Sequence, residues 1–200
     1  MFERQGTLPI AQALAAELRA RHYTVVMTRE KDSTLSLEAR SKIGNEPGRL
    51  CFLSIHLNHA DSSTVNGIET YYGWPKRMEV MKELHKAYEV GRDQGIQDQR
   101  SQWLAEAVHA GVLAATQAAD REVKNSPGLL LLNSIRCPTV LIECGFLSNK
   151  AETEKLRSPD YQAKLARGIA DGVEKYLNAA AGDKMYGIQI QEKETGSAKK

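Results

Sequence analysis

Two charged or titratable side chains stand at the ends of runs that read as strands. Residues 50–56 (LCFLSIH) form an apolar stretch whose last residue is His56, and residues 139–143 (TVLIE) form another whose last residue is Glu143. An imidazole at a strand end can ligate zinc through one ring nitrogen while the other is oriented by a nearby acceptor. The alternative for His56 is a hydrogen-bonded structural histidine. Glu143 emerges from a buried strand, where desolvation raises a carboxyl pKa and suits it to general-base work. Its alternative is a salt bridge at the strand terminus, although a charge in that setting is costly unless it is paired or employed. Glu3, ahead of a helix near the chain start, reads by itself as a solvated charge favourable to the helix dipole. Cys144 is a candidate nucleophile beside Glu143, but no histidine is placed by the sequence to activate it, and packing is its simpler role.

The elements that must position these groups follow from periodicity. Thr7 and Pro9 read as a helix start, with Leu8, Ala11, Leu14, Ala15 and Leu18 at helical spacing. Residues 23–28 (YTVVMT) are short and β-branched and predict a strand, and Leu35, Leu37 and Arg40 open a shorter helix. A further strand is predicted at 67–72 (GIETYY). Residues 76–119 are helical in composition, with Gly91 and Gly95 separating two helices, and residues 129–132 add another short apolar run. Ser158 and Pro159 cap a last helix along which Tyr161, Leu165, Ile169, Val173 and Leu177 recur at steps of four. Alternating helices and short apolar strands predict an α/β fold: a three-layer domain with a mostly parallel twisted sheet flanked by helices. Ligands gather at the carboxyl ends of strands in such sheets, where His56 and Glu143 both lie.

Composition narrows the function classes. With 200 residues, 42% hydrophobic and 26% charged, the chain can bury one sizeable core. Twenty-seven Lys and Arg against 25 Asp and Glu leave a net charge of +2, too balanced to make nucleic acid or an acidic membrane surface the default partner. No apolar run approaches the roughly 18 residues of a membrane span. Three cysteines without CxxC spacing indicate neither a disulfide framework nor a cysteine zinc knuckle.

LSIHLN at 53–58, NGIETYYG at 66–73 and TVLIECGFLSN at 139–149, in that order, resemble the zinc-dependent N-acetylmuramoyl-L-alanine amidases of the amidase_3 type, which are bacterial cell wall hydrolases. Glu3 and Arg4 before a Leu-rich helix, and TRxxDxxLSLxxR from Thr28 to Arg40, support the resemblance, which runs from Met1 to about Asn178. The resemblance implies zinc (Zn2+) as cofactor, Glu3 and His56 as metal ligands, and Glu143 as the catalytic glutamate. The family's other zinc histidine lies on a first strand that has no counterpart after Met1, so that strand, its ligand and an export signal are expected upstream. His59 stands near His56 but holds no ligand role in the family, and His22, His85 and His109 are expected to face solvent or packing partners.

The resemblance further implies a catalytic domain at 1–178 and a helical insertion at 76–99 that covers the site until an activator protein withdraws it, while polar composition predicts a disordered tail at 179–200. The substrate would be peptidoglycan, cut between the lactyl group of N-acetylmuramic acid and L-alanine, outside the cytoplasm in the periplasm or cell wall. Neither nucleic acid nor a membrane span is expected. Two other readings stay open: a metal-free domain that binds peptidoglycan without cleaving it, and a cysteine enzyme using Cys144.

Overall fold

Residues 2–73, 94–126 and 128–182 are described by the computed structural model. In chain order they form α1 (Glu3–Ala20), α2 (Leu37–Gly44), β1 (Phe52–Asn58), β2 (Ile68–Tyr72), α3 (Gln94–Thr116), β3 (Asp120–Asn125), α4 (Leu130–Ser134), β4 (Thr139–Phe146), α5 (Lys150–Arg157) and α6 (Pro159–Gly182). The four strands make one sheet in the order β1-β4-β2-β3. Two of its pairings, β1 with β4 and β2 with β3, are parallel, and β2 runs antiparallel to β4. The strand richest in buried apolar residues, β4, is thus paired on both sides, as a run buried on both faces requires.

Alternation along β4 divides the molecule. Val140, Ile142 and Cys144 are fully buried in a core that also contains Ile10 and Leu14 of α1, Leu104, Val108 and Val112 of α3, and Leu165 and Ile169 of α6. Leu141 and Glu143 point the other way, because successive strand side chains face opposite sides. On that second face α2 and α4 cover one end of the sheet: Gly44 packs against Phe52 and Ile135, and Ser41 Oγ lies 2.7 Å from Ser134 Oγ. The expected three-layer α/β arrangement is what the chain forms.

Several local expectations need correction. The first helix begins at Glu3 rather than at Thr7, with Pro9 inside it. Phe2 N–H donates to Gln5 Oε1 at 3.0 Å, which fixes the earlier start. Residues 23–28 keep a strand-like alternation of exposure but join no ladder; Arg19 Nη2 donates to the Val25 carbonyl at 3.2 Å instead. The apolar run at 129–132 goes into α4, where Leu131 and Leu132 are buried, an ambiguity inherent in short apolar runs. Charged β3 has too little apolar periodicity to stand out in the sequence, as suits an edge strand. Gly95 lies inside α3. Gly91, His85 and most of the expected insertion at 76–99 lie outside the described residues. The last helix, α6, runs to Gly182 and so takes in the first residues of the expected tail at 179–200; the rest of that stretch also lies outside the described residues. Among the described residues no helix is long and apolar enough to cross a membrane.

Candidate active site

Pairing in register brings the site together. His56 on β1 is the direct neighbour of Glu143 on β4, and Glu143 is in turn opposite Glu69 on β2. Three titratable side chains therefore stand in one row across three strands. Glu3, in the first turn of α1, completes the group from outside the sheet: its Oε1 lies 2.8 Å from His56 Nδ1 and accepts from Leu57 N–H at 3.4 Å. A carboxylate can only accept, so Nδ1 carries the proton, and in the neutral ring Nε2 accepts from Ser54 Oγ–H at 3.0 Å. The His56 hydrogen bond, outweighing partial burial, holds the Glu3 carboxyl below its ordinary pKa.

Glu143 has the opposite environment. Its Oε2 is buried and has no hydrogen-bond partner. Burial pushes its pKa up to about 7; His56 opposes the rise, while the carboxylates of Glu3 and Glu69 reinforce it. A carboxyl so poised can exchange a proton with substrate near neutral pH.

Glu69, inside the GIETYY motif, has a role that its place in the sequence does not announce, and it is the most heavily bonded side chain here. It is 5% exposed, and accepts from Arg121 Nε at 2.8 Å, Lys124 Nζ at 2.7 Å, Tyr71 Oη at 2.7 Å and Asn58 Nδ2 at 2.9 Å. Burial alone would raise its pKa, but Lys124, Tyr71 and Arg121 together bring it below the ordinary value. The available signal was a second acidic residue inside an apolar strand. Two carboxylates facing each other across one ladder are thus driven apart, one kept ionised and the other close to neutral.

The other parts of the quoted motifs are structural. Gly145 has φ +142° and opens a bulge in β4 after Glu143. Phe146 N–H and Gly67 N–H then donate to the buried carboxylate of Glu152 at 2.7 and 3.1 Å. Ser148 Oγ accepts from Ala60 N–H at 3.1 Å, and Asn149 caps α5. Asp32 pairs with Arg4 at 3.3 Å and Ser36 caps α2.

Cys144 is fully buried and burial drives its thiol far above the ordinary pKa, so it cannot supply a thiolate nucleophile. His59 and His22 are exposed. His109 is a packing group, placed between Thr70 Oγ1 at 2.9 Å and Asp120 Oδ1 at 2.9 Å beneath the sheet.

Glu3 Oε1 and His56 Nδ1 form a donor pair of the kind zinc takes, one carboxylate oxygen and one imidazole nitrogen sharing a proton that a cation could replace. The orphaned Glu143 Oε2 beside them fits a site that gains a further polar group. Among the described residues no cluster of three or more His, Cys, Asp or Glu stands ready for a metal ion. The Glu3–His56 pair supplies two donors of the types that a zinc site uses.

The family model described as N-acetylmuramoyl-L-alanine amidase (Amidase_3) matches residues 1–175. The N-acetylmuramoyl-L-alanine amidase LytC of Bacillus subtilis is 31% identical over 88% of this chain, which spans only 31% of LytC. The germination-specific N-acetylmuramoyl-L-alanine amidase of the same organism is 28% identical, over 88% of this chain and 71% of its own length. Among solved structures, the CwlD amidase of Clostridioides difficile, in complex with the GerS lipoprotein, superposes with a TM-score of 0.75 at 29% identity, covering 90% of this chain and 88% of that one. The chain belongs to the Amidase_3 family of N-acetylmuramoyl-L-alanine amidases.

Proposed function

We propose that residues 1–178 are the catalytic domain of a peptidoglycan amidase acting outside the cytoplasm, which hydrolyses the amide between the lactyl group of N-acetylmuramic acid and L-alanine. The observation that carries this reading is the unpartnered, buried Glu143 Oε2, with its pKa near 7, on the strand next to the Glu3–His56 pair. Glu3 and His56 would hold zinc together with a further donor outside the described residues. The chemistry that zinc supplies when bound is Lewis-acid polarisation of the scissile carbonyl and of the attacking water. Glu143 takes the proton of that water as it adds to the carbonyl carbon. The same carboxyl then returns the proton to the alanine nitrogen as the carbon–nitrogen bond breaks, so one group serves as base and acid. Ser54 fixes the imidazole ring of His56 through Nε2, which leaves Nδ1, the nitrogen facing Glu3, for the metal.

Incubation of the 200-residue chain with zinc and purified peptidoglycan is expected to release stem peptides with a free L-alanine amino terminus. Glu143→Gln should lower that rate by about a hundred- to ten-thousand-fold. His56→Ala should abolish one-to-one zinc binding in titration calorimetry. A second reading, a metal-free peptidoglycan-binding domain, draws on the absence of a three-donor cluster among the described residues. Retained binding of peptidoglycan without zinc binding or turnover would select it. A helical cover at 76–99, withdrawn by an activator protein, is part of the proposal, and deleting 76–99 should raise the rate.

A further inference from the structure

Arg121 and Lys124 are three residues apart on one strand, a spacing that puts side chains on opposite faces of a regular strand. Both nevertheless reach the same atom, Glu69 Oε1, at 2.8 and 2.7 Å. The register shows how: Ile68 pairs with Asp120 and Thr70 with Val123, so two steps along β2 match three along β3. The extra residue is taken up at Glu122, whose φ of 71° lies in the left-handed region. Such a bulge re-aims side chains, here bringing two cations to the face that carries Glu143.

The resulting cluster is unbalanced in charge and in exposure. Two cations share one carboxylate, leaving one positive charge in excess. The carboxylate is 5% exposed, whereas Arg121 and Lys124 are 36% and 35% exposed. Glu69 is therefore an internal anchor and the cations are the accessible part. Their planes and stems are further fixed, with the Arg121 guanidinium 5.1 Å from the Phe146 ring centre and Lys124 Nζ 5.9 Å from that of Tyr71. Because Glu69 is directly opposite Glu143, the cations converge about one strand spacing, roughly 5 Å, from the strand bearing the base. A peptide advances about 3.5 Å per residue, so a chain cut at its first amide would present its second residue at this distance.

We propose that Arg121 and Lys124, anchored on Glu69, form an anion subsite that receives the free α-carboxylate of the second residue of the stem peptide. This rests on the amidase reading for the identity of the peptide. The subsite makes the protein discriminate between stem peptides whose second residue, a γ-linked D-glutamate, keeps its α-carboxylate and those in which it is amidated. Glu69 is a positioning residue: it touches no substrate and acts by holding both cations at one point.

Two muramyl tripeptides differing only in that group, carboxylate or carboxamide, test the proposal on the 200-residue chain in the presence of a chelator, by calorimetric binding. The carboxylate form is expected to bind about fivefold more tightly, the size of one partly exposed charge pair. Lys124→Gln should reduce the ratio of the two Kd values to below twofold, and Lys124→Arg should retain it. The ratio compares two ligands on one preparation, so partial unfolding of a variant cancels. Equal binding by the wild-type chain, no binding of either peptide, or an unaltered ratio in Lys124→Gln would overturn the subsite. Cleavage of both peptides in the presence of zinc, measured separately, tests the amidase reading: preference without cleavage upholds the subsite and removes that reading, whereas cleavage without preference does the reverse.

Discussion

Glu143 differs from Glu3 and Glu69 in having no donor, and that difference fixes how the protein should respond to pH. In the folded, metal-free chain its pKa is about 7, against 4.5 for the free group. Between these values the folded state holds a proton that the unfolded chain has released, so stability falls as pH rises through this window. The loss is on the order of 3 kcal/mol and is complete above about pH 7. Glu143→Gln removes the ionisation, so with chelator present the variant should be more stable than the wild type at pH 8 and nearly equal to it at pH 4.5. Urea denaturation at the two pH values measures this, and a variant as pH-sensitive as the wild type would show that burial at Glu143 is not the source. This behaviour was legible in the sequence, because a glutamate ending an apolar strand announces its own desolvation. Glu69 was not, because its importance comes from Arg121 and Lys124, which lie more than 50 positions away and reach it only through strand pairing. The pairing of Glu3 with His56 was likewise invisible to periodicity and entered through the family resemblance alone.

The strands reach their functional geometry by departing from regularity at two bulges. In β4 the extra residue is accommodated at Gly145, a residue type for which φ +142° carries no side-chain penalty. In β3 the corresponding left-handed position is held by Glu122 at φ 71°, where a side chain costs about 1–2 kcal/mol. Glycine there would relieve that strain but lose about 0.5–1 kcal/mol of backbone entropy on folding. Glu122→Gly should therefore stabilise the protein by about 0.5–1 kcal/mol, seen as a raised Tm, with the hydrogen bond from the residue 122 N–H to Asp120 Oδ1 retained. A lowered Tm would mean that the Glu122 side chain makes up for its backbone. Bulges explain much of what the sequence concealed. The strongly periodic α6 and the apolar β1 and β4 were evident, since their burial is written in residue spacing. Edge strand β3, with Val123 as its sole aliphatic residue, owes its existence to the ladder with β2. Conversely, residues 23–28 had the composition of a strand and no ladder to join, so propensity alone did not make them one.

Across the whole molecule the sheet separates chemistry from packing. His56, Glu143 and Glu69 share one face, and α3 and α6 press against each other on the opposite side, where the core lies. Their contact depends on close backbone approach at Gly111, Gly168 and Gly172. A Cβ at Gly172 would strike Val108 Cα and the Ala107 carbonyl, both backbone atoms of α3 that cannot turn aside as a side chain can. Gly172→Ala must therefore move one helix relative to the other, at a cost of about 1–3 kcal/mol. The displacement should be absorbed in the core that includes the fully buried Val108, Val112 and Ile169, because the helix seam and the site lie on opposite sides of the sheet. The expected outcome is a lowered Tm, with zinc affinity and turnover per folded molecule unchanged well below the transition. Loss of zinc affinity at unchanged Tm would show instead that the helical layer sets the position of Glu3 and His56. The contact of α1 gives that coupling a route, since α1 both packs against α6 and supplies Glu3 from its first turn.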